Sequence, residues 1–230
     1  MIKEKLKQKS FFYYIYLFYY LIFRVNFFLK RKTYSQFGED LIIDNFFKNI
    51  TGKYVDIGCY HPIKYNNTCL LYNRGWKGAN IDLNPTGIDL FRIVRKNDLN
   101  IVACLSEDEG EEVEVHFDSN FSALNSVLRN NIDKFNIKNF KTYKTKTKKL
   151  SNLINFNFDF LNIDCEGMDY NILKSIDLKK YTPKLICIEV DSDKNKKLIY
   201  NYLASNFYEL LDVKGMSYIF KKLVDAQKNW

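Results

Sequence analysis

The sequence lacks the cysteine and histidine patterns from which disulfide frameworks and zinc sites are built. Its five cysteines form no CxxC pair, and only two histidines, His61 and His116, accompany them among 230 residues. An odd, dispersed set of cysteines is typical of reduced thiols in a cytosolic protein. We therefore expect neither a disulfide-stabilised secreted domain nor a zinc site, and we predict no bound metal.

The N-terminal apolar run is too short to favour a membrane-spanning helix. As a helix, residues 11–23 would rise about 20 Å, against roughly 30 Å of bilayer hydrocarbon, and no small-residue cleavage site of a signal peptide follows. Lysines flank the run, and its five tyrosines suit a membrane interface. We predict a basic, aromatic helix over residues 1–32. Through residues 11–29 it either associates with a membrane surface or covers an apolar groove of its own domain or of a dimer partner.

From residue 33 onward, strand and helix patterns alternate. Three strands are apolar throughout, which is typical of a parallel sheet covered on both faces, and the βαβ rhythm indicates a doubly wound α/β fold. The last two strands flank Gly215 and should pair antiparallel. We therefore predict one domain over residues 33–230, with a Rossmann-like, mostly parallel sheet that ends in an antiparallel hairpin. This is the layout of class I methyltransferases.

The predicted elements can be bounded from the same patterns. Strands are expected over residues 53–57, 79–83, 100–105, 158–164, 184–190, 208–213 and 216–222, with extended segments at 111–118 and 141–150. A helix capped by Ser35 should precede the first strand. A loop and short helix are expected over residues 119–135.

Acidic residues end four of the five apolar strands, where doubly wound folds bind their ligands. Carboxylates disfavour burial, so each needs a reason to be there. Asp82 is placed to accept the hydroxyls of a ribose; the alternative is a cap for the turn before Pro85. Gly58 allows close approach to a ligand, but Tyr60 and Pro62 stand where a GxGxxG loop has its later glycines. Because a pyrophosphate needs those glycines, their absence favours S-adenosylmethionine over a dinucleotide.

Methyl transfer to a hydroxyl needs an aligned oxygen and a group that takes its proton. The candidates are His61, Asp164 and Glu166. His61 has an ordinary pKa near neutrality, and the alternative is a histidine that orients its loop. Asp164 and Glu166 could instead help to hold a divalent cation, although two ligands are too few for a metal site. Glu39 is expected to reach over the cofactor, whereas Asp40 should complement its helix N-terminus.

Five segments, in this order, resemble those of FkbM-type methyltransferases: YSQFGED, YVDIGCYHP, NNTCLLYNRGWKGANIDLNP, FLNIDCEGMDYNIL and PKLICIEV. The resemblance covers residues 34–190. It implies the class I S-adenosylmethionine-dependent fold and O-methylation of hydroxyls on sugars and natural products. Cys59 and Asn66 depart from the Ala and Ser that are more usual in that family, which leaves the role of their loop open.

The resemblance also implies roles for individual residues. Asp56 and Gly58 would line the methionine side of the cofactor and Asp82 its ribose. Ser106 and Glu107 would lie near the adenine, and Asp164 and Glu166 would face the reacting centre. Glu39 completes the predicted cofactor site, and Asn67 and Thr68 are predicted to bind the acceptor.

The expected acceptor is a carbohydrate or glycoconjugate, met in the cytoplasm or at the inner membrane. Nucleic acid is disfavoured, because the six lysines of residues 138–149 alternate as in an edge strand kept soluble by charge, and no NPPY-like tetrapeptide is present. Three alternatives stay open. They are a methyltransferase for nucleic acid or protein, a non-catalytic nucleotide-binding scaffold, and an NAD-dependent oxidoreductase.

Overall fold

A computed structural model describes residues 11–25, 31–117 and 141–223. The main sheet contains seven strands, and a second, smaller sheet contains three. The strands, in chain order, are β1 (Lys53–Ile57), β2 (Lys77–Asp82), β3 (Leu99–Val102), β4 (Cys104–Leu105), β5 (Glu112–Phe117), β6 (Lys141–Lys148), β7 (Phe160–Ile163), β8 (Leu185–Glu189), β9 (Tyr208–Lys214) and β10 (Ser217–Lys222).

The main sheet has the order β3-β2-β1-β7-β8-β10-β9. Its first five strands pair in parallel, and β10 pairs antiparallel with both β8 and β9. The strand order reverses direction between β1 and β7, so the carboxyl ends of these two strands mark the switch point at which doubly wound folds bind ligands. The predicted Rossmann-like sheet with an antiparallel hairpin is confirmed.

Helices connect the strands and cover both faces of the main sheet. They are α1 (Phe11–Tyr19), which continues as a π-helical turn (Tyr20–Arg24), α2 (Glu39–Phe46), α3 (Cys69–Asn73), α4 (Pro85–Val94), α5 (Asp169–Ser175) and α6 (Asp193–Ser205). The start of α4 follows from its sequence: the Asn84 side chain accepts hydrogen bonds from the amides of Thr86 and Gly87, and Pro85 occupies the first helical position. The helix predicted after Ser35 begins only at Glu39, although the Ser35 hydroxyl does accept bonds from the amides of Gly38 and Asp40.

Apolar side chains are buried on both faces of the main sheet, as the continuous apolar strands predict. On one face Ile57, Ile81, Ile163 and Ile188 pack with residues of α5 and α6. On the other face, Tyr54, Phe160 and Leu185 belong to a cluster with residues of α2 and α3. The two layers leave the carboxyl edge of the parallel strands as the place where polar side chains gather.

The predicted third strand, residues 100–105, is wrong as one continuous element. The chain leaves the main sheet at Ala103, and the next two residues pair with β6 in the smaller sheet. The residues that follow are therefore carried away from the carboxyl edge. The short helix predicted within residues 119–135 lies outside the described residues.

Helix α1 packs against α4 of the same chain. Leu17 and Leu21 are buried against Leu90, and the Tyr13 hydroxyl donates to Asp89 Oδ2 at 2.8 Å. One face of the helix thus covers an apolar surface of its own domain, as one of the sequence-based alternatives expects. Within the described part of the chain, no helix is both long and apolar enough to cross a membrane. The predicted domain boundary at residue 32 stays a prediction.

Candidate active site

Four neighbouring strands carry the same three-residue pattern at their carboxyl ends. Ile57 lies level with Ile81 on β2 and with Ile163 on β7, and Ile163 lies level with Ile188 on β8. The residues before and after each isoleucine point to the opposite face of the sheet. We call those before it the inner row and those after it the outer row. The inner row is Asp56, Asn80, Asn162 and Cys187, and the outer row is Gly58, Asp82, Asp164 and Glu189.

The inner-row carboxylate, Asp56, is completely buried and its oxygens are occupied by hydrogen bonds within the protein. Its Oδ2 accepts from Thr68 Oγ1 at 2.7 Å and from Asn66 Nδ2 at 3.2 Å, and its Oδ1 accepts from Asn162 Nδ2 at 2.9 Å. Burial raises the pKa of Asp56, while these bonds and the charge of Arg95 oppose the rise. Asp56 and Thr68, predicted to bind cofactor and acceptor, therefore do not line a cavity. They support the loop that follows β1.

Arg95, which directly follows α4, supplies the buried positive charge of this region. It is inaccessible to solvent, and its guanidinium donates to Thr68 Oγ1 at 2.7 Å and to Asn66 Oδ1 at 2.6 Å. Further bonds reach the Pro62 carbonyl and the Tyr54 hydroxyl, and Tyr54 in turn donates to Asp98. We call this set the Arg95 network. It comprises Tyr54, Asp56, Asn66, Thr68, Asn80, Arg95 and Asp98.

The outer row opens into a cavity of about 290 Å³ at the carboxyl edge of the sheet. Gly58 lies at its floor with φ of +75°, and a Cβ there would collide with the carbonyl oxygen of Asp164. None of the described residues that line the cavity is a lysine or an arginine, whereas five of them are carboxylates. We call it the acidic cavity, after Glu39, Asp82, Asp164, Glu166 and Glu189.

Asp82 lines the acidic cavity, as the sequence predicts, and is held in one orientation by the backbone. Its Oδ2 accepts from the amide of Tyr60 at 2.8 Å, and its Oδ1 accepts from the amide of Asn84 at 2.7 Å. Burial raises the pKa of Asp82 to about 6, against the lowering effect of these two amides. A carboxylate has about four acceptor positions, so Asp82 can still accept a hydroxyl of a ligand.

Asp164, Glu166 and Glu189 stand together on the other side of Gly58. Burial, followed by the charge of Glu189, raises the pKa of Asp164 well above its usual range. Burial, followed by the charge of Asp169, raises the pKa of Glu189 to about 8. The Asp164 side chain is open to the cavity although protein surrounds it. In the sequence, Glu189 stands at the end of an apolar strand, but that position alone does not predict a role for it in the site.

The loop that carries Asp164 and Glu166 is held by Asp169 at the start of α5. Asp169 accepts from the amide of Cys165 at 2.7 Å and from the amide of Gly167 at 3.0 Å. Glu166 itself has a positive φ of 51°, a conformation that non-glycine residues seldom adopt. Across the described ranges, no group of three or more His, Cys, Asp or Glu side chains is arranged to hold a metal ion.

Glu39 and Asn67 reach the acidic cavity from outside the strand ends. Glu39 Oε2 accepts from the amide of Phe37 at 2.7 Å, and its Oε1 accepts from Ser217 Oγ at 3.3 Å. Asn67 Nδ2 donates to the inner-row Asn162 at 3.0 Å. Asp40 lies in the first turn of α2 and accepts from Ser35 Oγ and the Tyr34 amide, so it holds the segment before the helix; its expected effect on the helix N-terminus stays a prediction.

His61 lies beneath the loop rather than in the acidic cavity. Its Nδ1 accepts from the amides of Ile63 and Lys64 at 3.1 and 3.0 Å, and its ring lies 5.8 Å from that of Tyr20. Burial, together with the charges of Lys64 and Arg95, lowers the pKa of His61 to about 3. This geometry supports the loop-orienting alternative over the general base.

Ser106 and Glu107, predicted near the adenine, are likewise not brought to the cavity. The departure of the chain from the main sheet at Ala103 carries them outward, and Glu107 is exposed. Ala103, Cys104 and Leu105 line the cavity in their place. The mouth of the cavity carries three exposed apolar side chains, those of Phe37, Tyr65 and Met216.

Known proteins resemble this chain in sequence and in fold. A family model described as the methyltransferase FkbM domain matches residues 56–217. Among solved structures, the crystal structure of methyltransferase FkbM from Methylobacillus flagellatus KT superposes with a TM-score of 0.50 at 13% sequence identity. The match covers 74% of this chain and 43% of that one, so this chain spans less than half of that protein. No curated protein sequence matches the chain.

The structural match agrees with the strand order of the main sheet. The structural likeness concerns the Rossmann-like methyltransferase fold alone, because sequence identity is low. The family model, by contrast, spans most of the chain and contains the inner row, the outer row and Arg95. The chain belongs to the FkbM methyltransferase family.

Proposed function

We propose that the protein transfers a methyl group from S-adenosylmethionine to a hydroxyl of a sugar or glycoconjugate. The observation that carries this proposal is the charge of the acidic cavity, which has five carboxylates and no lysine or arginine among its described lining residues. S-adenosylmethionine carries a sulfonium, an ammonium and a carboxylate, so it is a net cation. Opposite charges attract strongly at such a partly enclosed site. The two phosphates of NAD would be repelled there.

The residues of the outer row fit the parts of this cofactor. Asp82 would accept the ribose hydroxyls with its remaining lone pairs, and Gly58 would let the backbone approach closely. Ala103, Cys104 and Leu105 offer a largely apolar wall for the adenine, in place of Ser106 and Glu107. When bound, the cofactor would supply an electrophilic methyl group. Glu39 adds a carboxylate from across the cavity, next to the mouth residue Phe37.

Asp164 and Glu189 are the pair that would take the proton of the acceptor hydroxyl. They are adjacent on the outer row. Burial and the charge of Glu189 raise the pKa of Asp164, and burial raises the pKa of Glu189 to about 8, although its hydrogen bond with Asp164 lowers it. Coupled carboxyl groups of this kind share protons and titrate as a pair. When one of them is ionised, its carboxylate can accept the hydroxyl proton, which is what a general base requires. His61 is not among the residues that line the cavity, so it would act by shaping the loop.

The mouth of the cavity supports a sugar as the acceptor. Phe37 and Tyr65 present exposed aromatic surface, and Met216 adds an apolar side chain beside them. Sugar rings have apolar C–H faces that pack on aromatic rings, while their hydroxyls can bond with carboxylates. A polyanionic nucleic acid would meet the repulsion of the acidic cavity.

Calorimetry with four ligands tests the cofactor assignment. We expect binding of S-adenosylmethionine and of S-adenosylhomocysteine, no binding of NAD, and intermediate affinity for adenosine. Replacing Asp82 with Asn should weaken S-adenosylmethionine binding about tenfold to a hundredfold, because a charged hydrogen bond to the ligand is lost. Asp108→Asn, at an exposed carboxylate outside the cavity, is the matched control. Tight NAD binding, or equal affinities of the two variants, would contradict the assignment.

Transfer of a labelled methyl group tests the acceptor class. Sugars, glycolipids, RNA and protein are offered separately to the wild-type protein and to Asp164→Asn. We expect label on hydroxyls of the carbohydrate acceptors and little on RNA or protein. Label on RNA alone would favour the nucleic-acid alternative, and cofactor binding without transfer to any acceptor would favour a non-catalytic scaffold.

A further inference from the structure

Helix α1 and its π-helical turn present two different faces. The inner face, formed by Leu17, Leu21 and Val25, is buried, and Leu17 and Leu21 pack on α4. The hydrogen bond from Tyr13 to Asp89 adds a polar attachment. The segment is therefore fixed along the surface of its own domain, and its outer face cannot turn inward.

The outer face is a continuous apolar surface. Its eight members are each between 45% and 76% exposed, and they are Phe11, Phe12, Ile15, Tyr16, Phe18, Tyr19, Ile22 and Phe23. Single exposed apolar residues are ordinary on soluble proteins, but a contiguous group of this size marks an interaction site. Within the described ranges, no other segment exposes so many large apolar side chains in a row.

The charge of the chain identifies the kind of partner that suits this face. Residues 1–32 contain eight basic residues and one acidic residue, a balance of +7, whereas the whole chain has a net charge of +8. The remaining 198 residues hold 27 basic and 26 acidic residues. Two copies that docked through the same face would bring two strongly positive segments together. An anionic surface would instead be attracted to each of them.

The length and composition of the segment also suit a membrane surface. Fourteen residues of helix, from Phe11 to Arg24, rise about 21 Å, which is short for crossing a bilayer. Tyrosine and phenylalanine rings are favoured at the level of the headgroups. We propose that the outer face docks on an anionic membrane surface, with the helix lying in the interface and the domain bound peripherally.

Docking in this way would place the loop that follows β1, which lines the acidic cavity, beside the bilayer. Tyr20 packs on His61, and Gly58 and Tyr60 of the same loop line the acidic cavity. The docking proposal does not depend on the methyl-transfer proposal, because vesicle binding is measured without cofactor or acceptor. Either one can fail while the other stands.

Flotation of the full chain with vesicles tests the docking. We compare vesicles of phosphatidylcholine alone with vesicles that contain about one third phosphatidylglycerol, and we expect at least about tenfold tighter binding to the anionic vesicles. The test variant is Phe11→Gln/Phe18→Gln/Ile22→Gln, in the outer face. Its matched control is Leu99→Gln/Phe207→Gln/Leu211→Gln, which removes three exposed apolar residues elsewhere.

The test variant should bind the anionic vesicles at least about tenfold more weakly than the control, since three apolar contacts with the interface are lost. Raising the salt concentration should weaken binding of the wild-type chain and the control alike. This salt and lipid dependence of the unaltered protein tests the proposal even where the triple variant fails to fold. Equal binding by test variant and control overturns the proposal, as does a wild-type chain that ignores anionic vesicles. Sedimentation showing a dimer that the test variant alone disperses would also overturn it and assign the face to a second copy.

Discussion

The inner and outer rows lie two residues apart on the same strands, yet their carboxylates have opposite surroundings. Asp56 of the inner row accepts three hydrogen bonds and lies near the buried guanidinium of Arg95. Asp164 and Glu189 of the outer row face other carboxylates across an open cavity. Enclosed charges that are matched offset the cost of their own burial, whereas clustered like charges need a ligand or a proton to offset them. This difference in surroundings distinguishes residues that hold the loop after β1 from residues that are suited to bind a cation.

Removing the buried positive charge of Arg95 should have the largest effect on stability. We expect Arg95→Met to lower the free energy of unfolding by about 3–5 kcal/mol, because it leaves Asp56 and Asp98 buried without their positive partner. Lys221→Met is the control, since Lys221 pairs with Glu209 at 3.0 Å and both side chains are exposed. It should cost about 1 kcal/mol or less. Urea unfolding measures both, and equal losses would show that the Arg95 network does not carry this part of the fold.

Adding one methyl group to the outer row, at Gly58, should have the next largest effect on stability. In Gly58→Ala the new Cβ would collide with the carbonyl oxygen of Asp164, and the backbone has a positive φ. We expect about 2–4 kcal/mol of destabilisation, together with loss of cofactor binding. Gly110 also has a positive φ but has no atom near its Cβ position, so Gly110→Ala isolates the backbone cost of about 1–2 kcal/mol. Similar losses for both would contradict the close contact at Gly58.

Changing His61 sharpens the distinction between a residue that holds the loop and one that reacts. His61→Phe removes the acceptor of two backbone amides and should cost about 1–3 kcal/mol in unfolding experiments. His61→Asn keeps an acceptor oxygen suited to a turn and should retain more of the stability. Because the pKa of His61 is lowered to about 3, His61→Asn should leave the pH profile of methyl transfer unchanged in shape between pH 5 and 8. Disappearance of a step near neutral pH would restore His61 as the base.

The smallest effect concerns protons on the outer row. The pKa of Asp82 is raised to about 6 and that of Glu189 to about 8, so the folded protein binds protons more tightly than the unfolded chain. Stability should therefore fall as the pH rises from about 5 to 8.5. Glu189→Gln should flatten this decline by about 1 kcal/mol, and S-adenosylmethionine should stabilise the wild-type protein more at the higher pH.

Urea unfolding at the two pH values provides the measurement. Glu112→Gln is the control, because Glu112 is fully exposed and its pKa is lowered by Lys144 instead of raised. It should leave the decline of stability with pH in place. A stability that rises with pH, or the same slope in Glu189→Gln as in the wild type, would contradict the proton sharing.

Much of the outer row could be predicted from the sequence. The strand patterns located the carboxyl edge, and Asp82, Asp164, Glu166 and Glu39 do line the cavity there. The repeated triplets DIG, NID, NID and CIE, which end four strands, contain the signal for both rows. They also bring Glu189 level with Asp164, a relation that appears only when the four triplets are aligned with one another.

The inner row could not be predicted, because its surroundings come from distant parts of the chain. Asp56 is enclosed by Asn66, Thr68 and Arg95, and only the packing of α4 brings the arginine there. The pattern of a strand predicts on which face of the sheet a residue lies, but it does not predict which side chains cover that face. The misplacement of Ser106 and Glu107 has a similar cause, since nothing in the local apolar pattern marks the departure at Ala103. For His61, the ordinary pKa of histidine would indicate a general base only if the ring were exposed, and burial lowers its pKa to about 3.

The separation of the two rows has a practical consequence for finding the acceptor. The Asp164 side chain is open to the cavity, so a conservative amide replacement there should leave the loop after β1 and the Arg95 network intact. Asp164→Asn would then be a folded protein that still binds cofactor and acceptor but transfers no methyl group between them. Immobilised on beads, such a variant would retain its own acceptor from a carbohydrate extract for identification by mass spectrometry. A variant of the inner row could not be used in this way, because the replacement would disturb the loop after β1 that the inner row supports.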